Sequence, residues 1–443
     1  MPAPTRDART PTLRAGPLHA ARAAMSAKRR SQMAWALNAW GNHAFSTTIL
    51  VGFFPIFFDR YWAKDLAGPE QTSWLGMTNS AASFIVMLIV PWLGALADRR
   101  GQKKRYLGIF TVLGVAASAA LALIGPGDWL TALAVFIAGQ VGFFVSYSFN
   151  DALLVQVADA AESDRVSSFG FAMGYLGGGL LFLLNVLMAL HPAWFGLADA
   201  TAATRAAFVS VALWWGLFCL PLFRYVPEAP AVAEATGWRE LWQTMKAVVR
   251  NRPVLKFLIA YWLYIDAIGT LQQMAVDFGV KLGFATNTLI SALLLVQFIS
   301  FPAALGFGWL ARWTGTKRAI YLGLSGFVLI TLWAYFMRSE RQFYEMAVAV
   351  ALVQGGVQAL SRSYFSRLIP QERSGEYFGF YNMLGKFAAV LGPLVVGLVA
   401  RSTGSPQLSI LVLSVFFVIG AVLLSRVDEP RGEARRAEGL GSA

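Results

Sequence analysis

The sequence predicts an all-α membrane protein with twelve transmembrane helices in two six-helix halves. Three observations carry this reading. Apolar runs long enough to cross a bilayer core, about 20 residues for about 30 Å, follow one another with short polar gaps between residues 35 and 425. Lysine and arginine gather in alternate gaps. A loop sequence also recurs half a chain later, its glycine at Gly94 and again at Gly308.

Composition agrees with the runs. Hydrophobic residues make up 57% of the 443 residues and charged ones 14%, where a soluble chain carries about a quarter charged. Mean hydropathy is +0.55. Length alone would suggest about three soluble domains of roughly 150 residues, but repeated apolar runs read better as spans. The single cysteine, Cys219, excludes a disulfide framework and a Cys-rich metal site. His19, His43 and His191 have no ligand-like spacing, so neither metal nor cofactor is expected. The net charge of +13 sits mostly in loops and tails; it is read as membrane topology, with no nucleic-acid partner expected.

Taken in order, the expected spans are 35–58, 73–97, 106–124, 129–150, 166–188, 205–223, 254–278, 288–311, 319–337, 343–364, 377–400 and 406–425. The expected organisation is a basic, disordered cytoplasmic tail (1–34), a six-helix bundle (35–223), a cytoplasmic linker (224–253), a second bundle (254–425) and a cytoplasmic tail (426–443). The first tail has no apolar stretch of secretory-signal length, and Met25 is an alternative start. About 28 of the 37 lysines and arginines lie on the side of the two tails and about 7 on the other. This bias predicts both termini in the cytoplasm, in a multi-pass protein of the inner (plasma) membrane. A monomer is expected.

The recurring loop supports two related halves. Gly94-Ala95-Leu96-Ala97-Asp98-Arg99-Arg100-Gly101-Gln102-Lys103-Lys104 follows span two. Gly308-Trp309-Leu310-Ala311-Arg312-Trp313-Thr314-Gly315-Thr316-Lys317-Arg318 follows span eight. Repeated halves are a mark of transporter folds. The first copy resembles the loop signature of the major facilitator superfamily. That resemblance implies the major facilitator fold and a gating role for Gly94, Asp98, Arg99 and Gly101. A carboxylate is stabilised beside free N–H groups at a helix N-terminus, and Asp98 is expected there only when the cytoplasmic side is closed. The alternative is a topology loop with no gating role. The second copy has Arg312 where Asp98 stands, so any latch is asymmetric.

A narrower resemblance covers about residues 35–425. Trp40-Gly41-Asn42, Phe53-Phe54-Pro55, the stretch Gly170 to Gly179, the stretch Gly355 to Pro370, Phe378-Gly379-Phe380-Tyr381 and Gly392-Pro393 carry it. The chain resembles the vacuole effluxer family, bacterial relatives of a fungal autophagy-related vacuolar exporter. The resemblance implies export of small solutes, amino acids first among them. It departs from the family at Asn38-Ala39-Trp40-Gly41-Asn42-His43, where an acidic residue is usual, and at Asn150, where tyrosine is expected before Asp151. Substrate and coupling ion do not carry over across those changes.

Polar groups at mid-membrane are costly and mark pathways. At 1.5 Å per residue, Asp266 lies roughly 18 Å into span seven and Lys386 roughly 14 Å into span eleven. An Asp266–Lys386 pair that breaks on protonation is one candidate coupling step; a static pair, or a Lys386 that snorkels to the surface, is the alternative. Asn42, His43, Gln140, Gln297 and Gln354 fall at similar depths. Asn38, Asn42 and Ser46 form one helical stripe. Asp266, Thr270, Gln273 and Asp277 form a second, and Gln354, Gln358 and Arg362 a third. Asn382 joins the candidate pathway from span eleven. Each has a plainer reading: Gln140 and Gln297 as hydrogen-bonded helix glue, His43 as a packed histidine, Asp151 as a gate or topology residue, Arg362 as a gate residue or an inside-positive loop residue. Gly170, Gly174 and Gly178 form a stripe for close helix packing. Spans three, six, nine and twelve have no Asn, Gln, His or charge in their central portions, and are expected to face lipid.

The expected function is secondary transport of a small solute by alternating access, with efflux and proton coupling as the finer expectations. The partners are the solute, the bilayer and the proton. An exporter of drugs or lipids is the alternative, and a receptor or scaffold on the same fold is the other class. No Gly-x-x-x-x-Gly-Lys-Ser/Thr loop, Gly-x-Ser-x-Gly or His-Glu-x-x-His occurs, which sets aside an ATP-driven pump and the usual intramembrane enzymes.

Overall fold

The computed structural model describes residues 17–231, 246, 250–281, 283–404 and 406–428, and its regular structure there is helical throughout. The first crossing starts with α1 (Pro17–Ala44). It continues through a wide-turn π segment, Phe45–Phe53, one α-helical turn, Phe54–Phe57, and a second π segment, Phe58–Trp62. Next come α2 (Gly68–Arg100), α3 (Lys103–Leu121), α4 (Trp129–Ala152), α5 (Ser163–Leu190) and α6 (Ala200–Tyr225). The second half holds α7 (Arg252–Lys281), α8 (Thr286–Thr314), α9 (Thr316–Phe336), α10 (Glu340–Leu368), α11 (Ser374–Thr403) and α12 (Leu413–Ser425), the last preceded by the short helix Pro406–Leu411. Among the described residues, eleven helices are long and apolar enough to cross a bilayer as they stand; the interrupted first crossing makes the twelfth.

Local chemistry sets the helix ends. The Asp199 side chain accepts the Ala202 N–H at 2.7 Å and starts α6. Ser339 and Gln342 form a reciprocal capping box at the start of α10. Gly101 ends α2 in the left-handed region at φ 60°, and Gly315 turns the chain between α8 and α9 at φ 86°. A glycine of positive φ thus makes the turn in both halves, left-handed helical at Gly101 (ψ 39°) and extended at Gly315 (ψ 149°).

The expected disordered tail is corrected. Helix α1 begins at Pro17, and Ser31, Gln32, Ala34 and Trp35 are buried. Alanine is frequent from Ala20 to Ala27, which favours helix. Gln32 donates to the Val157 carbonyl at 3.0 Å, and Lys28 pairs with Asp159 at 2.5 Å and Glu162 at 2.8 Å. These contacts anchor the extension to the α4–α5 loop. Residues 1–16, most of the linker (232–245 and 247–249) and residues 429–443 lie outside the described residues.

The halves meet through α2 against α11 and α5 against α8, with α4 against α11 and α5 against α10 beside them. Helices α3, α6, α9 and α12 pack within their own halves. They expose apolar rows such as Ile109, Val112 and Leu113 on α3, Leu213, Leu217 and Leu220 on α6, Leu322 and Leu329 on α9, and Val415, Val418 and Val422 on α12. Those rows suit lipid.

Candidate functional site: a buried polar closure between the halves

The ends of α2, α4, α8 and α10 and the starts of α3, α5, α9 and α11 share one face, here called the basic face. On it, charged groups of one half bond to the other. Asp98, at the end of α2, is 4% exposed. Its carboxylate accepts the Gly375 N–H at 3.0 Å and the Glu376 N–H at 2.8 Å, both from the first turn of α11, and pairs with Lys103 at 2.5 Å. A free helix N-terminus favours an anion for the reasons that make it an anion site elsewhere. Gly94 lies one turn earlier, and a Cβ there would overlap the Gly375 carbonyl. Arg99 is half-buried at the helix end, and Gly101 makes the turn beside Ala229 and Ala231.

The second contact is buried more deeply. Arg362 of α10, 2% exposed, donates to Asp151 of α4 at 2.7 Å. It also donates to the Ser167 hydroxyl and carbonyl of α5, both at 2.9 Å. Its guanidinium plane lies over Phe171 at 4.4 Å and Trp35 at 4.9 Å. Asn382 of α11 donates to the other Asp151 oxygen at 3.3 Å. Both carboxylate oxygens thus have partners across the interface, as a buried ion needs.

A third cluster flanks the second, and its carboxylate, Asp164, was missed by sequence reasoning. Asp164 of α5 accepts from the hydroxyls of Ser363, at very short range, and Thr316, at 2.7 Å, and pairs with Arg367 at 3.1 Å. Its only sequence signal was a carboxylate at the start of a span. Two lysines were missed as well. Lys104 donates to the Phe223 and Val226 carbonyls at the end of α6, and Lys317 to the Ser425 and Val427 carbonyls at the end of α12. Each cation stabilises a helix C-terminus in its own half.

Mid-membrane candidates divide by half. Asn38 donates to Asn150 at 3.0 Å, while both polar atoms of the fully buried Asn42 have no hydrogen-bond partner among the described residues. His43 packs against Gly174 within a ring of Tyr147, Phe171 and Tyr175, with centroids 5.9–6.4 Å away. Gln140 donates to Asn79 at 3.0 Å inside the first half. In the second half Gln354 accepts from Gln272 at 2.5 Å and donates to Ser300 at 3.0 Å. Gln358, one turn on, is half-buried. Gln297 packs on Gly179 across the interface. The side chains of Gln273 and Asp277 lie outside the described residues.

The Asp266–Lys386 pair is a correction, because no ion pair forms. Asp266, 1% exposed, packs with Thr270 against the backbone of Gly392 of α11, and its carboxylate has no ion-pair partner among the described residues. Lys386 lies six residues earlier on α11, about 9 Å along its axis, with its ammonium over the Phe144 ring of the other half at 2.7 Å from the centroid. Asp266 thus lies level with Gly392 rather than with Lys386, and the two groups face different neighbours.

Among known proteins, the family model described as "Vacuole effluxer Atg22 like" matches residues 66–162 and 154–437. An uncharacterized MFS-type transporter, YxiO, of Bacillus subtilis (strain 168) is 35% identical over 409 residues, covering 90% of this chain and 95% of that protein. Autophagy-related protein 22-2 of Aspergillus niger is 26% identical over 318 residues, and the match spans 52% of its length. Among solved structures, the human organic anion transporter MFSD10 (TETRAN) shares the fold at a TM-score of 0.72 and 17% identity, over 90% of this chain and 99% of that one. The proton:xylose symporter XylE shares it at 0.70 and 14%, over 92% and 96%. The chain is a multi-pass membrane protein of the major facilitator fold and belongs to the vacuole effluxer Atg22-like family of transporters.

Proposed function

We propose that this transporter exports a small solute, an amino acid or similar metabolite, by alternating access coupled to protons. One observation carries the reading. The halves are joined on the basic face by buried polar contacts that must all part for that face to open: Asp98 with α11, Asp151 with Arg362, and Asp164 with Ser363. The charge bias of the loops supports assigning that face to the cytoplasm. The state described is then closed to the cytoplasm, with Gly94, Asp98, Arg99, Gly101, Asp151 and Arg362 as gate residues. Family membership supports export of a small solute.

Asp266 is the candidate coupling group. A buried carboxylate with no cation beside it is costly inside a bilayer, so proton exchange at Asp266 is tied to its exposure to water as the halves part. Coupling does not pass through a bond to Lys386. Purified protein in proteoliposomes, loaded with an amino-acid mixture and given an imposed pH gradient, tests the proposal. The expected result is gradient-driven flux of one or a few solutes, lost in Asp266→Asn while membrane insertion is retained. Wild-type, gradient-driven flux in that variant would remove Asp266 from the mechanism. Flux indifferent to the gradient would remove proton coupling.

A further inference from the structure

The repeat leaves one residue unexplained. Arg312 occupies in the second half the position of Asp98 in the first. Asp98 is buried and bonded across the interface, whereas Arg312 is exposed and makes no hydrogen bond or ion pair among the described residues. It lines a groove of about 460 Å³ between the halves, walled by α1, α5 and α8.

The three walls repeat one pattern. Helix α1 brings Arg29 to the basic face and Met33 one turn deeper. Helix α5 brings Arg165, with Phe169 one turn deeper, and α8 brings Arg312, with Trp309 and Leu305 deeper still. Three guanidinium groups thus lie above an apolar trough. Arg29, like Arg312, has no partner among the described residues, and Arg165 makes only a 3.4 Å contact with Glu162. Asp164, the nearest other carboxylate along α5, is taken up by Ser363, Thr316 and Arg367. Trp309 and Trp313 are 61% and 63% exposed beside the groove, as suits aromatic rings at a membrane interface. Gly308 forms the floor, where α8 approaches so closely that a Cβ would come within 2.7 Å of Ser168.

Charge at one level and apolar surface one turn below match a phospholipid: an anionic headgroup, then the first carbons of its chains. A free anion would use the arginines but leave the trough empty. We propose that this groove binds one anionic phospholipid, whose headgroup bridges Arg312 of the second half to Arg29 and Arg165 of the first. The proposal is independent of solute, coupling ion and direction of transport.

The test uses the full chain reconstituted in equal mixtures of phosphatidylcholine and phosphatidylglycerol, then extracted, with retained lipid read by native mass spectrometry. Wild type is expected to retain phosphatidylglycerol in preference to phosphatidylcholine. Each arginine near the surface contributes about a five-fold change in binding, so Arg312→Gln should lower retention about five-fold and Arg29→Gln with Arg312→Gln should lower it further. Arg318→Gln, which removes an equal charge from the same face outside the groove, should retain lipid as wild type does. Equal loss in Arg318→Gln would reduce the effect to diffuse surface charge and overturn the proposal. So would equal retention of the two lipids, or displacement of the lipid by inorganic phosphate at matching phosphate concentration.

Discussion

Arg362 shows what one side chain contributes to the closure. Removing one member of a buried ion pair leaves the other uncompensated, at a cost of about 3–5 kcal/mol. Arg362→Ala should therefore lower the thermal midpoint of the detergent-solubilised protein clearly, and Asp151→Asn in the same chain should restore part of it. An unchanged midpoint in the single variant would mean that the pair contributes nothing to the closed state. Both residues were legible in the sequence as polar groups near the ends of spans. Their meeting was not, because they stand 211 residues apart and a span boundary sets depth without setting direction. The same gap explains Asp266 and Lys386, whose similar expected depths fixed neither their level nor their neighbours. Asp98 was easier to read, since it sits in a repeated loop whose turn is set by a glycine.

Among the elements, the spans were readable from length and hydropathy because lipid imposes both. The first crossing was less so. Its wide turns each add a residue to the usual helical turn, so the stripe of Asn38 and Asn42 does not continue in step through Phe45–Phe53. The start of α1 was missed because it is too polar to read as a span. Its helical extension is anchored by loop contacts, and these are sensitive to acid. Lys28 beside Glu162 holds that carboxyl below its ordinary value of 4.5. A lowered carboxyl pKa contributes stability above the unfolded value, and this is lost as pH falls through the folded one. Amide protection factors across residues 24–32, taken against the intrinsic exchange rate at each pH, should therefore be high at neutral pH and fall as pH drops below the ordinary glutamate value. Protection that stays constant down to pH 3 would mean that the Lys28 contacts do not hold the extension.

For the whole molecule, two halves could be read from the repeat and the basic linker, and the fold bears out that architecture. How closely they touch could not be read, because it depends on Gly94 and Gly379 lying against backbone of the opposite half. Gly94→Ala should wedge α2 from α11 without unfolding either half. With spin labels at Arg105→Cys and Arg318→Cys in a Cys219→Ser background, pulsed EPR should show a longer distance population in the Gly94→Ala protein. A distribution matching that of the parent would mean that the contact has slack. The anchorage of Asp98 has a further consequence. Its acceptor is a side chain, but its two donors on α11 are main-chain amides, so neither bond depends on an α11 side chain. Alanine substitution of Ser374 or Glu376 would pass over those donors, whereas Gly375 has no room for a Cβ beside Asp98. Only an imino acid deletes such a donor, and the opening turn of a helix tolerates one. Glu376→Pro should thus loosen this corner of the protein as Asp98→Asn does, measured by the same label pair, while Glu376→Ala leaves the spacing as it was.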